Sequence, residues 1–369
     1  MRILGILDNR FYLSGVNAYW GSMARALENL GHRVHTLVLD DGSCPWNARF
    51  FDALAGQIHR LQTEQALMRT RAESLFQEIQ PDIVIHHYSD LGMDLSGRAR
   101  SNAHGSGWKD VYICHSDDPD HYNRVENRKA DLSHVICVSE ACREHVVGTI
   151  GVHPENTSLA RYSFMPPRGD GDVLGRKICV AKASGRIGIL YAGRLESYQK
   201  RAGDLAPFAE SLKRLGVPFR LHIAGSGSLS EGLRKRLSSL VSDETVIFHG
   251  YLAPDRLFRL MENTDVYLSF SEFEGLSTSL VQAMHYGLVP LVTRTNSGSD
   301  FLAPGKEALF FEAGDTEAAA GLLKDLFSDC QRRRLMACRA AEKIVRHCSP
   351  ENTVLQFSAF LDRMGGLCP

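Results

Sequence analysis

The stretch from Asp265 to Thr293, DVYLSFSEFEGLSTSLVQAMHYGLVPLVT, constrains the fold of this chain more than any other. Val266, Leu268 and Phe270 alternate with polar or small residues, the pattern of a buried strand. Ser271 to Gly275 then brings two carboxylates and a glycine, and Ser277, Thr278 and Ser279 supply hydroxyls that can cap a new helix. Leu280, Ala283, Met284 and Gly287 recur at helical spacing, and Leu288 to Val292 predicts the next strand. A helix that starts after a glycine loop, at the carboxyl end of a strand, leaves backbone N–H groups pointing outward. Phosphate groups bind well at such a place. Glu274 stands just before those donors, and Gln282 follows it by eight residues, near the second helical turn. Strand–loop–helix units of this kind also occur in any doubly wound fold, so the stretch by itself leaves a purely structural role open.

Composition narrows the class. At 369 residues the chain exceeds what one core usually covers, which implies two domains. The 42 basic and 43 acidic residues leave a net charge of −1, which argues against an obligate nucleic-acid binder while leaving a local basic patch open. The nine cysteines show neither C-x-x-C pairs nor zinc spacing and read as reduced thiols of a cytosolic protein. The opening run MRILGILDNRF is too short for a signal peptide, and nothing approaches membrane-spanning length, so a soluble or peripheral cytoplasmic protein is expected.

Along the chain, short apolar runs alternate with helical patterns. Arg2 to Leu7 predicts a strand, Val16 to Leu30 a helix closed by Gly31, and His32 to Leu39 a second strand. This βαβ start lacks G-x-G-x-x-G, so a nicotinamide dinucleotide fingerprint is absent. Trp46 to Gln80 reads as helical, ended by Pro81, and strands follow at Asp82 to His87, Val111 to His115 and Val135 to Val138. GRARSNAHGSGWKD, between the first two of these, reads as the mobile loop of this half. Ser139 is the expected N-cap of the next helix. From Gly151 to Arg186 prolines and glycines loosen the pattern into an inter-domain connection. A second series then runs through strands at Ile187 to Tyr191, Phe219 to Ala224 and Val246 to Phe248, with helices at Asp204 to Leu215, Leu229 to Leu240 and Asp255 to Glu262. Closing helices are expected at Asp315 to Phe327, Gln331 to His347 and Pro350 to Met364. Strands that alternate with helices in this way predict parallel sheets covered on both faces.

Three further segments carry chemistry. Tyr191-Ala-Gly-Arg-Leu, followed by Glu-Ser-Tyr-Gln-Lys200-Arg201, sets two or three cations just beyond a strand end, and a guanidinium plus an ammonium suits a diphosphate. LHIAGSGSL ends a strand in a G-x-G turn, which by itself is only a tight connection. VYICHSDD puts His115 at the carboxyl end of a strand, outside which open parallel sheets bind ligands. Asp117, Asp118, Asp120 and His121 follow it with the donor types of a divalent-ion site, but the acidic run is read as acceptor-facing or structural.

Together these segments resemble the GT-B glycosyltransferases of the large retaining family 4 (glycosyl transferases group 1), whose loop reads S-x-x-E-G-x-G/S-x with a second Glu eight positions after the first. Here the first Glu is Glu274 and the second is replaced by Gln282. The resemblance implies an α/β, GT-B fold of two doubly wound Rossmann-like domains facing across a cleft. The implied parts are residues 1–165 as the acceptor-side domain, 166–186 as a linker, 187–348 as the nucleotide-sugar-binding domain, and 349–369 as a helix returning to the first domain. It implies a retaining, hexosyltransferase-like enzyme that moves a sugar from a UDP- or GDP-sugar to an acceptor hydroxyl, in glycan, glycolipid or glycosylated-metabolite synthesis. Arg194 and Lys200 become the diphosphate clamps, with Gly275, Leu276 and Ser277 at the helix start and Gly15 as the glycine turn of the first domain. Tyr251 and Leu252, in FHGYL, fall where relatives line the nucleobase. Glu274 meets a hydroxyl of the donor sugar, Gln282 the ribose, and His115 lies close to the transferred sugar. The family supplies no agreed covalent nucleophile. The resemblance further implies no metal and no cofactor beyond the nucleotide-sugar co-substrate, and an acceptor that is a sugar, a lipid-linked molecule or a small molecule. No nucleic-acid partner is expected, and peripheral membrane contact stays open. A nucleotide-sugar epimerase on the same fold, or a non-catalytic nucleotide-sugar-binding subunit, are the alternatives.

Overall fold

Strands β4 (Ile83–His86) and β6 (His134–Cys137) are buried at every position, as strands must be when helices cover both faces of a parallel sheet. A computed structural model describes residues 1–9, 15–43, 54–63, 67–102, 107–164, 185–295 and 301–365. The chain forms two compact units, Met1–Phe164 with Cys348–Pro369, and Met165–His347. In the first, β1 (Arg2–Asp8), β2 (Arg33–Asp40), β3 (Gln57–Gln62), β4, β5 (Lys109–Cys114), β6 and β7 (Thr157–Leu159) pair in the order β3-β2-β1-β4-β5-β6-β7. Every pairing is parallel. Helices α1 (Gly15–Asn29), α2 (Met68–Ile79), α3 (Asp90–Asn102), α4 (Pro119–Arg128) and α5 (Glu140–Gly148) connect them. The strand order reverses between β1 and β4, and a sheet of this kind takes ligands outside the carboxyl ends at such a reversal. Helix α1 lies tight on the sheet because Gly5 has no side chain: a Cβ there would fall 2.3 Å from the Trp20 ring. Trp20 is fully buried and donates from Nε1 to Thr36 Oγ1 at 2.8 Å.

The second unit repeats the plan with six strands. Strands β8 (Ile187–Ala192), β9 (Phe219–Ala224), β10 (Val246–Gly250), β11 (Val266–Ser269), β12 (Val289–Thr293) and β13 (Leu309–Phe311) pair in the order β10-β9-β8-β11-β12-β13. All are parallel, and the reversal falls between β8 and β11. Its helices are α6 (Leu205–Arg214), α7 (Ser230–Arg236), α8 (Ser238–Ser242), α9 (Pro254–Glu262), α10 (Thr278–His285), α11 (Thr316–Ser328) and α12 (Cys330–Cys348). Phe208, Phe270, Leu268 and Ile189 centre the core. The last helix, α13 (Pro350–Arg363), is capped by Ser349 and packs in the first unit against α1. It buries Phe357 and Phe360, each worth about 1.5–3 kcal/mol. Arg363 donates to the Thr157 carbonyl at 2.9 Å, and Gln356 accepts from the Arg161 N–H at 3.0 Å. Among the described residues, no helix is long and apolar enough to cross a membrane. Six described cysteines are free thiols.

The fold differs from the sequence expectations where tertiary contacts overrule local pattern. Residues expected to be helical from Trp46 to Gln80 include strand β3, an edge strand whose polar run Gln57, His59, Arg60 and Gln62 hides the alternation. The expected mobile loop begins as helix, since α3 continues through Gly97 to Asn102, and its last two residues, Lys109 and Asp110, open β5; residues 103–106 lie outside the described ones, as does most of the expected linker. Gly287 does not belong to the helical face, since α10 ends at His285 and Gly287 turns out of it with φ +69°. Leu229 to Leu240 is two short helices instead of one. Strands β7 and β13, three residues each, were too short to signal.

The G-x-G turn after β9 does more than connect. Gly225 and Gly227 bring backbone against backbone: a Cβ on Gly225 would sit 1.8 Å from the Gly193 carbonyl oxygen, and one on Gly227 2.3 Å from that of Leu195. The approach lets Gly193 N donate to Ala224 O at 3.0 Å, Leu195 N to Ser226 O at 2.9 Å and Gly225 N to Gly250 O at 2.7 Å. The carboxyl ends of β8, β9 and β10 are thereby laced together. Gly225→Ala should cost about 2–4 kcal/mol, because both a backbone clash and a positive φ must be relieved. Gly97→Ala, on a helix with nothing within 4 Å, should instead gain about 0.5–1 kcal/mol. Denaturant unfolding of the two variants measures the contrast, and equal midpoints would show that the loop yields freely.

Candidate active site

The carboxyl ends of β8 and β11 bring together residues 74 and 75 positions apart in sequence. After β8, Tyr191 Oη donates to the Arg194 carbonyl at 2.8 Å and fixes the turn, and burial pushes that phenol's pKa up. Glu196 folds the next turn by accepting from the backbone N–H of Gln199 (3.3 Å) and of Lys200 (3.0 Å). Lys200 thereby points at Glu274, and the two form an ion pair through Nζ and Oε1. Ser271 Oγ donates to the same carboxylate oxygen at 2.8 Å. Both charged side chains are largely buried, so removing one partner alone should cost about 3–5 kcal/mol.

Gln199 was not singled out from the sequence, and it is the bracket of this group. Its Oε1 accepts from Arg194 Nη2 at 2.5 Å, while its Nε2 donates to Glu274 Oε2 (3.4 Å) and to the Phe273 carbonyl (3.3 Å). Its only sequence signal is its place beside Lys200. Arg194 remains two-thirds exposed, whereas Arg201 is spent on Asp204 and Glu272. The Arg201 guanidinium is therefore tied to structure, while Arg194 keeps reach.

Helix α10 starts directly beyond Glu274. Ser277 is the N-cap, its Oγ accepting from the Leu280 N–H at 3.4 Å, and Tyr267 Oη ties Ser279 at 2.8 Å. Gly275, Leu276 and Ser277 are buried around this start, and Gln282 is half-buried one turn on. The N–H groups of the first turn face the same strand end as Lys200 and Arg194, a combination suited to anionic oxygens. Tyr251 and Leu252 follow β10 at the sheet edge, Tyr251 more than half exposed. The backbone link of Gly225 to Gly250 ties this strand end to the turn after β9.

In the first unit Gly15 is the opening residue of α1, and His115 is the residue after β5. His115 Nε2 lies 2.9 Å from Nδ1 of His87, which follows β4. Tyr19 meets the His115 ring edge-on at 5.1 Å, and His121 stands 6.0 Å away, itself held by Tyr112 Oη at 2.8 Å. The acidic run after His115 is used structurally. Asp118 caps α4, Asp117 accepts from Tyr122 Oη at 2.5 Å, and Asp120 accepts from Tyr88 Oη at 3.1 Å. Among the described residues no three His, Cys, Asp or Glu side chains converge as a metal site.

Burial lowers the pKa of His115 to about 3, and that of His134 to about 4. A base with a folded pKa below its unfolded value costs nothing above about pH 6.5. As pH falls below that value the unfolded chain takes a proton that the folded chain refuses, and stability declines until the folded pKa is reached. Stability should therefore drop from pH 7 to pH 5, by up to about 1.4 kcal/mol per pH unit for buried His134 and less for half-buried His115. Urea unfolding at the two pH values tests this, with His115→Asn expected to lose less over the interval. An equal loss in the variant would mean that His115 is not held neutral.

Comparison with known proteins agrees with this architecture. Residues 13–160 match the family model described as Glycosyltransferase Family 4, and residues 180–343 match Glycosyl transferases group 1. A lipopolysaccharide 1,6-galactosyltransferase of Salmonella typhimurium is 32% identical over 143 residues, 38% of this chain and 39% of the relative. The N-acetyl-alpha-D-glucosaminyl L-malate synthase of Bacillus anthracis is 26% identical over 141 residues, 38% of this chain and 36% of that protein. The matched stretch thus spans less than two thirds of either relative's length. Among solved structures, the apo form of the lipopolysaccharide outer core galactosyltransferase WaaB has a TM-score of 0.72 at 19% identity, covering 98% of this chain and 99% of that one. Anabaena HepE, in complex with UDP and glucose, has a TM-score of 0.76 at 15% identity, with coverage of 98% and 99%. With two parallel-sheet Rossmann-like units, each matched by a glycosyltransferase model, the chain is of the GT-B, family 4 glycosyltransferase type.

Proposed function

We propose that the protein transfers a sugar from a nucleotide diphosphate sugar to an acceptor hydroxyl with retention of anomeric configuration. The observation that carries this is the convergence of Arg194, Gln199, Lys200 and Glu274 beside the start of α10. The diphosphate is assigned to Arg194, Lys200 and the amides of Gly275 to Ser277, which stabilise the charge that grows on it as the glycosidic bond breaks. Lys200 has three N–H donors, so it can serve Glu274 and a phosphate oxygen together. Glu274 is assigned to a sugar hydroxyl, Gln282 to the ribose, and the backbone at Tyr251 and Leu252 to the base. Gly15 and His115 are the first unit's contributions, His115 toward the sugar. Binding of UDP by structural neighbours makes a UDP-sugar the first donor to try. The acceptor is a sugar, lipid-linked or small-molecule hydroxyl, and the proposed compartment is the cytoplasm.

A panel of UDP-, GDP- and ADP-sugars tests the reaction type. Slow donor hydrolysis without acceptor supports transfer, epimerised donor replaces it with epimerisation, and tight binding without any turnover leaves a binding subunit. Weaker binding of a 2′,3′-dideoxy nucleotide is expected if Gln282 meets the ribose. Arg194→Ala should weaken nucleoside diphosphate binding by about 1.5–3 kcal/mol while sparing the nucleoside. Arg194 is the cleaner test than Lys200, because its exposed side chain leaves no buried charge behind. Glu274→Gln should lower transfer more than it lowers binding of the bare nucleotide; the reverse order would exchange the two assigned roles. Guanidinium, ammonium and helix amides supply the positive charge, so activity should persist in EDTA. Loss of turnover there, restored by magnesium or manganese, would sink that part of the proposal.

A further inference from the structure

We propose that His87 is a positioning residue that fixes His115 as its Nδ1-protonated tautomer, so that His115 offers substrate an N–H donor and not a basic lone pair. The inference rests on the placement of His115 at the sugar given above, and it names a residue to which that function assigns no part. His87 and His115 follow neighbouring parallel strands, and their rings stack with centroids 5.1 Å apart and planes 27° apart. Nδ1 of His87 and Nε2 of His115 are 2.9 Å apart. A hydrogen bond between two neutral imidazoles requires one N–H and one lone pair, so its direction sets both tautomers at once.

The direction follows from the far side of His87. That residue is fully buried, and its Nε2 has no hydrogen-bond partner among the described residues. Were Nδ1 of His87 the acceptor, its single proton would sit on Nε2 as an unpaired buried donor. With Nδ1 donating, only a lone pair is left unpaired there, and orphaned buried donors are the rarer of the two in folded proteins. The nearest ring to that side chain is Trp20, 5.0 Å away at 67°, which gives an N–H at most a weak π contact. His87 Nδ1–H therefore donates to His115 Nε2, and the His115 proton resides on Nδ1. Around His115 stand Tyr19 and His121, neither of them charged: Tyr19 Oη is committed to the Ala160 carbonyl at 2.8 Å and His121 Nδ1 to Tyr112. His115 is half-buried, so its outer edge meets solvent. An N–H there can hold a hydroxyl oxygen but cannot remove a proton from one.

Long-range proton–nitrogen correlation spectra of the full chain, labelled with 15N-histidine and assigned with a His115→Phe sample, read the tautomer directly. The expected result is a protonated Nδ1 and an unprotonated Nε2 on His115, and protonation at Nε2 overturns the inference. His87→Asp presents only acceptors, so it should invert the His115 tautomer and lower sugar transfer by about tenfold or more, as a wrong tautomer does at other imidazoles. Nucleoside diphosphate affinity should not change. His87→Asn keeps an amide donor at the same place and should restore transfer to within a few-fold of the native rate. If the Asp and Asn variants, both with native melting profiles, lose transfer equally, His87 acts by packing and the positioning role is wrong. Transfer untouched in His115→Phe would overturn the placement of His115 at the sugar, whichever tautomer the spectra show.

Discussion

Each unit depends on a parallel sheet that is covered on both faces. Strands such as Ile83–His86 and Val266–Ser269 are buried at all four positions, so their side chains pack or bond to other protein groups and do not meet solvent. Polar chemistry is pushed to the ends of the strands, where the backbone stops pairing with its neighbour and the helices begin. That constraint explains why the notable polar groups of both units lie in the loops that follow a strand's carboxyl end: His87 and His115 in one, Arg194, Lys200, Glu274 and Ser277 in the other.

In the second unit, close backbone contact is what makes the site rigid. Gly225 and Gly227 have no Cβ, so the turn after β9 can press against Gly193 to Leu195 and hold it by backbone hydrogen bonds. The loop so fixed presents Arg194 outward and folds Lys200 inward onto Glu274. The buried pair is costly to break from one side only, which fixes the carboxylate at the head of α10. Gln199 couples that pair to the exposed Arg194 guanidinium through one amide group, donor on one side and acceptor on the other.

The first unit solves a different problem with neutral groups. Around His115 stand imidazoles and phenols, the carboxylates that follow it being held by Tyr122, Tyr88 and the start of α4, and burial lowers the pKa of His115 well below neutrality. The His87–His115 bond and the Tyr112–His121 bond are directional and carry no net charge themselves.

The sequence by itself determined the two-sheet α/β plan, because runs such as ILYA and VYLS announce buried strands, and caps such as Ser139 and Ser277 announce helix starts. It also marked Glu274, Arg194 and Lys200, since their residue types and spacing repeat a family pattern. Local pattern failed at β3 and α3, where an edge strand is polar and a glycine sits harmlessly in a helix; neither state is set within its own segment. Only tertiary structure decided that Lys200 pairs with Glu274, that Arg201 is committed elsewhere, and that Gln199 and His87 belong to the polar groups. Those contacts join strand ends separated by 28 to 75 positions. No periodicity along a chain encodes which loops two neighbouring parallel strands will bring side by side, and the strand order of the finished sheet supplies that information.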